Sequence, residues 1–164
     1  MDKLLIGGAI IIISFAVGAI IREGMKLELT ELAELIDDLK LMRPCIKLER
    51  KTFKELLSYL SGVGKQKRLW LGMLERIESG ADSNDAALAI EENIALEKRC
   101  LSAAQSYFSS FGRGDAALES EKLEALIALL SETEADMRSE RDKRMKLTVP
   151  LCVMAGSAAA ILIL

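Results

Sequence analysis

Histidine is absent from this 164-residue chain, and proline, cysteine and aromatic residues are scarce. Without an imidazole there is no histidine-based acid–base catalysis and no histidine metal site. The three cysteines, Cys45, Cys100 and Cys152, are far apart, odd in number and in no paired spacing. That pattern excludes a disulfide framework and a zinc site, and it predicts small buried hydrophobes in a reducing setting. Few aromatics, abundant Leu, Ala, Glu and Lys, and no alternating apolar–polar stretch argue against strands and for helices. Basic excess is lacking too, since the net charge is −3, and nucleic acid demands the opposite sign. No GxxxxGK[ST], GxSxG or HExxH pattern occurs. Asp37 and Asp38 are adjacent on a helical pattern, so they point apart. They are expected on a solvated face and not as a carboxylate dyad. No enzyme, cofactor or metal is expected.

Charge is missing from two long runs, residues 4–21 and residues 147–164. A charge-free apolar run of about 18 residues is roughly the minimum that crosses a bilayer as a helix. The reading is a transmembrane helix over 1–22, a domain over 23–146, and a second transmembrane helix over 147–164. Ala16-Val17-Gly18 loosely matches a signal-peptide cleavage site. The run is long, however, and Met-Asp-Lys is a short n-region, so a retained span is expected. Arg22 and Lys26 follow the first run, and Arg138, Arg141, Lys143, Arg144 and Lys146 precede the second. The positive-inside rule then places the central domain in the cytoplasm and both termini across the membrane. The same cations can contact anionic headgroups.

The domain reads as an all-α bundle of about five or six short helices. Leu29, Leu32, Ala33, Ile36 and Leu39 recur at helical spacing, widened by Leu35 and Met42. Pro44 ends or kinks that helix. Phe53, Leu56, Leu57 and Leu60 repeat the pattern, closed by Ser61-Gly62. Trp70, Met73, Leu74 and Ile77 follow, with Gly80 as a C-terminal cap and Trp70 in the core. Ser83 is placed as the next N-cap, with Asp85 in the first turn. Ala87, Ile90, Ile94, Leu101, Ala104, Phe108 and Phe111 continue on one face, either unbroken or broken near Leu96. Gly112-Arg113-Gly114 is a helix stop and not a phosphate loop. Asp115 caps the last helix, whose stripe is Leu123, Leu126, Ile127 and Leu130.

That stripe fades after Leu130. Residues 131–146 are nearly all polar, with no Gly or Pro. The expectation is one long helix that leaves the core and runs into the second span, supported by acid-before-base pairs such as Glu134–Arg138 and Glu140–Arg144. In that span Cys152, Gly156 and Ala160 form a ridge of small residues, and Ser14 and Gly18 offer a shorter one in the first. Such ridges let transmembrane helices pack closely.

The order of parts resembles the stage III sporulation protein AB family over essentially the whole chain. The resemblance rests on the N-terminal run MDKLLIGGAIII, the Leu-rich TELAELIDDLKLM, the Phe111-Gly112-Arg113 turn, and the stretch from Leu123 through the closing apolar run. The chain departs from the family at Cys45-Ile46-Lys47-Leu48, at Lys51-Thr52-Phe53, and after Gly114. The resemblance implies an endospore-forming bacterium and the mother-cell membrane around the forespore. It implies a multi-protein channel made during engulfment, and a cytoplasmic domain like that of type II secretion inner-membrane platform proteins. The implied partners are the stage III AA-type ATPase and other stage III channel subunits.

Two function classes follow. One is a non-enzymatic platform or adaptor subunit that couples the ATPase to the membrane complex; it predicts assembly with other membrane subunits or into a homo-oligomer. The other is a membrane-tethered helical regulator that binds a soluble signalling partner through a pocket or switch. Arg113 is the candidate partner contact, because a long cation in an exposed turn can reach a partner carboxylate.

Overall fold

The computed structural model describes the backbone of residues 26–163 and the side chains of residues 26–143 and Met154. The described residues form six helices and no strand. They are α1 (26–47), α2 (Phe53–Val63), α3 (Lys67–Glu78), α4 (Ser83–Asn93), α5 (Lys98–Ser110) and α6 (Ala116–Ile163). A compact unit spans Glu28–Ala135, and residues from Asp136 onward belong to a second.

The apolar spacing dictates the core. Leu32, Leu35, Ile36, Leu39 and Met42 of α1, Leu56, Leu57 and Leu60 of α2, Leu69, Trp70 and Met73 of α3, Ile90 of α4, Phe108 of α5 and Leu123 of α6 are all buried and make up the apolar core. Each such side chain contributes about 1.5–3 kcal/mol on burial. Consecutive helices α2 to α5 pack on one another in chain order. Trp70 and Phe108 meet edge to face at 5.7 Å, and Arg43 of α1 ties to Glu124 of α6 at 2.6 Å. Cys45 and Cys100 are buried free thiols.

The helix ends follow local chemistry. Thr52 and Glu55 form a capping box that opens α2: the threonine hydroxyl accepts from the Glu55 N–H, and the Glu55 carboxylate accepts from the Thr52 N–H. Two reciprocal bonds satisfy donors that a helix start otherwise leaves bare. The α2 helix passes Ser61-Gly62 and closes at Val63, where the Gly64 N–H bonds Leu60 O at 2.7 Å. The α1 helix likewise continues three residues beyond Pro44, which lacks only one donor in the final turn. Gly80, at φ 90°, ends α3 with bonds from Gly80 to Ile77 and from Ala81 to Arg76. That is the Schellman arrangement, which favours a residue without Cβ.

The N-cap of α4 is Asp82 and not Ser83. The Asp82 carboxylate accepts from the Asp85 N–H at 2.9 Å, and a negative charge suits a helix start better than a hydroxyl. The chain breaks between Asn93 and Lys98, around Leu96. Asp115 caps α6 as expected, accepting from the Leu118 N–H at 2.7 Å. From there α6 continues unbroken to Ile163.

Asp38 overturns the expected solvated face. Asp37 is half-exposed and pairs with Lys40 and Lys65, but Asp38 is fully buried. Its carboxylate accepts from the backbone N–H groups of Lys65 at 2.7 Å and Gln66 at 2.9 Å, and from the Trp70 indole at 2.6 Å. Gln66 has no side-chain cap of its own, so a carboxylate from α1 sits where α3 begins. Gly64 makes room for it: a Cβ there would lie 2.6 Å from Leu60 O and 2.8 Å from Asp38 Oδ2.

Among the described residues no helix is long and apolar enough to cross a membrane. The first apolar run, with Ser14 and Gly18, lies outside the described residues. In the second, the backbone is helical within α6, and the side chains of Cys152, Gly156 and Ala160 lie outside the described residues.

Candidate functional site

The turn between α5 and α6 gathers the polar groups that the core does not use. Phe111 leaves the helical region at ψ 136° and caps α5. Gly112 follows at φ 81°, where a side chain is strained. Arg113 donates its backbone N–H to Ser110 O at 3.3 Å and is exposed. Its charge reaches Asp82 at the start of α4. The Asp82 carboxyl is held below its ordinary value, first by the Asp85 N–H and last among its causes by Arg113. Thus Arg113 stands free of the apolar core, as the sequence placed it.

Glu119 is the residue that the sequence did not reveal. It lies at the end of the first turn of α6 and is only 3% exposed. Its Oε1 accepts from the Gly114 N–H at 3.2 Å. Lys122 Nζ stands 3.7 Å from the same oxygen, beyond a proper hydrogen bond. Glu119 Oε2 is buried without a partner, and so is the Tyr107 hydroxyl. Burial first, and then the Glu119 charge, push the Tyr107 phenol well above its ordinary pKa. Gly114 fits tightly against this group: a Cβ there would lie 2.9 Å from Leu118 Cδ2 and 3.2 Å from Glu119 Oε1.

Glu119 lines a surface cleft of about 310 Å³. Ile46, Phe111 and Ala116 supply its apolar walls, Gly112 and Gly114 bare backbone, and Arg50 and Lys51 its basic side. Arg50 holds φ 49° in the left-handed region, uncommon for any residue but glycine. The charge of Lys51 is committed to Glu49 at 2.7 Å and to the face of Tyr59 at 4.2 Å. Arg113 and Glu119 therefore bracket one short turn, one outward and one inward.

No signal in the sequence could have found Glu119. A capping box after Asp115 would need its acid at position 118, where leucine stands, and Glu119 is one residue out of that register. The transmembrane packing residues named from the sequence belong to segments whose side chains lie outside the described residues.

A family model for stage III sporulation protein AB matches residues 3–164. The chain belongs to the stage III sporulation protein AB family. The match takes in the Phe111–Gly114 turn, α6 and both apolar runs. No curated protein and no solved structure gives a significant match. Membership in the stage III sporulation protein AB family implies a role in stage III of sporulation.

Proposed function

We propose that the chain is a non-enzymatic platform subunit of a secretion-like channel between mother cell and forespore, anchored by residues 1–22 and 147–164. Its helical unit faces the mother-cell cytoplasm and couples a stage III AA-type ATPase to the membrane complex. The observation that carries this reading is α6. One unbroken helix bears both the core stripe Leu123–Leu130 and the apolar stretch that begins at residue 147. The basic residues at 138–146 and beside the first run agree in sign with this orientation. Arg113, exposed at the α5–α6 turn, is the contact we assign to the ATPase.

The cleft beside Glu119 favours a second reading, a membrane-tethered regulator, because a regulator needs a pocket. One pair of variants tests the first reading. Inserting two residues near Ala135 turns the helix by about 200°, at about 100° per residue. A platform whose α6 is a rigid connector should then fail to assemble, and spores should be lost. Arg113→Glu should lower recovery of the ATPase in a pull-down, with helical content and melting unchanged. Normal sporulation with the insertion would remove the rigid-connector idea, and undiminished ATPase recovery with Arg113→Glu would remove this contact.

A further inference from the structure

Helix α3 carries an exposed stripe whose charges run against its own dipole. Arg68, Leu71, Glu75 and Glu78 recur at helical spacing, Lys67 stands beside Arg68, and all five are exposed. A helix dipole favours acids in the first turn and bases in the last. In this stripe the bases come first and the acids last. Arg76, the base in the last turn, is turned toward α4, where it meets Glu92 and the Asp85 carbonyl. Glu78 is paired with Lys54 of α2 at 3.0 Å. Lys67, Arg68 and Glu75 enter no ion pair or side-chain hydrogen bond among the described residues. Leu71, an apolar side chain 45% exposed, lies between them. The packing of the unit accounts for none of the three free charges.

The stripe is complementary to itself. Arg68 and Glu75, seven residues apart, share one flank of the helix, and Lys67 and Glu78, eleven apart, share the other. A two-fold axis level with residue 72 lays a second copy of the stripe antiparallel on the first. At about 1.5 Å of rise per residue, Arg68 is about 6 Å from that level and Glu75 about 4.5 Å on the other side. Lys67 and Glu78 lie about 7.5 and 9 Å away in the same opposed sense. Each base therefore comes nearly level with an acid of the other copy, and the two Leu71 side chains meet beside the axis. We infer that the exposed face of α3 is a two-fold contact between copies of this chain, the same patch serving both sides. Ser58 and Ser61 follow Lys54 at i+4 and i+7 on the side of α2 that borders the stripe, so small side chains leave room for the second helix. One helix pair buries less than the roughly 1,200 Å² of a stable interface. The contact is weak between free molecules and forms where copies are held close together. It stands independently of the channel reading.

The test is energy transfer between full chains in vesicles, with donor or acceptor attached at Ser83→Cys and Cys152 changed to alanine. Parent chains should associate. Arg68→Glu should weaken association at least about tenfold, and so should Glu75→Arg, because the two-fold axis repeats each like-charge clash. The two variants mixed should associate within about threefold of the parent, since each supplies the charge that the other lacks. Both changes in one chain should do the same, and either recovery shows that the single changes leave the fold intact. Parent-like association of Arg68→Glu or Glu75→Arg alone would overturn the proposal. Mixed variants that associate no better than either alone would overturn it too, and no transfer between parent chains at any vesicle density would rule out a second copy as the occupant.

Discussion

Asp38 and Glu119 are both shielded from water in one helical unit, yet three N–H groups converge on the first while the second keeps an oxygen with no donor. The difference follows from what lies opposite each. Asp38 faces the start of α3, where a helix presents bare backbone N–H groups and a positive dipole end. The Trp70 indole supplies a third donor. Glu119 faces a turn that offers one N–H, that of Gly114, and its other oxygen is enclosed with no donor in reach. A carboxylate satisfied within the fold fixes packing. A carboxylate half satisfied in the interior carries part of its desolvation cost uncompensated.

The contrast is most exposed to test at Asp38. Asp38→Ala strands three donors in the interior, and the expected loss is about 3–5 kcal/mol. The chain has a single tryptophan, Trp70, which is one of those donors. Its fluorescence therefore follows both the local change and urea unfolding of the whole chain. A loss below about 1 kcal/mol would mean the cluster is replaceable by water. Gly64→Ala should come next, at about 1–3 kcal/mol, because its Cβ meets backbone at 2.6 Å, and backbone cannot step aside cheaply. If thermal melting of this variant matches the parent, α2 and α3 can separate slightly at no expense. Glu119→Gln should shift the melting midpoint least of the three, by less than about 1 kcal/mol in stability, since its missing bond is missing already. An effect as large as that of Asp38→Ala would erase the contrast.

The smallest effect is on acid stability. Lys65 and then Lys40 hold the Asp37 carboxyl below its ordinary value of 3.8 by hydrogen bonding, and the Asp85 N–H does the same for Asp82. Each folded pKa is depressed, so the stability it contributes is complete above about pH 5 and lost as pH falls through the folded values. Stability of the parent should fall gently below about pH 4. Asp82→Asn should flatten that fall, and an identical pH profile in parent and variant would show that the cap is not a source of it.

Helical periodicity made most of this fold readable. Leu32, Ile36, Leu39, Leu56, Leu60, Trp70, Met73, Ile90, Phe108 and Leu123 are core residues in the positions that their spacing implies. Gly80 and Asp115 likewise cap where local chemistry places them. Thr52 and Glu55 carried a readable capping signal in Thr-x-x-Glu that periodicity alone passes over. Small local shifts aside, such as Asp82 in place of Ser83 at the α4 cap, the failures at the buried carboxylates are tertiary. The environment of Asp38 depends on where α3 begins in space, and that of Glu119 on a turn folding back over the first turn of its own helix. Adjacent identical residues, Asp37 and Asp38, have opposite fates because a helix turns about 100° between them. Sequence spacing gives that angle, but not which neighbour it meets.

The buried thiols give the molecule an internal clock. Cys45 and Cys100 are each about 1% exposed, and burial first of all raises the Cys45 thiol pKa, which lowers its thiolate fraction. Neither can react while its helix is closed, so each labelling rate measures how often that part of the unit opens. One thiol sits in the last turn of α1 and the other in the first turn of α5, where its sulfur lies 3.2 Å from Thr133 Oγ1 of α6. With Cys152 changed to alanine, the two rates would follow the loosening of two separate seams in the native bilayer, with no denaturant.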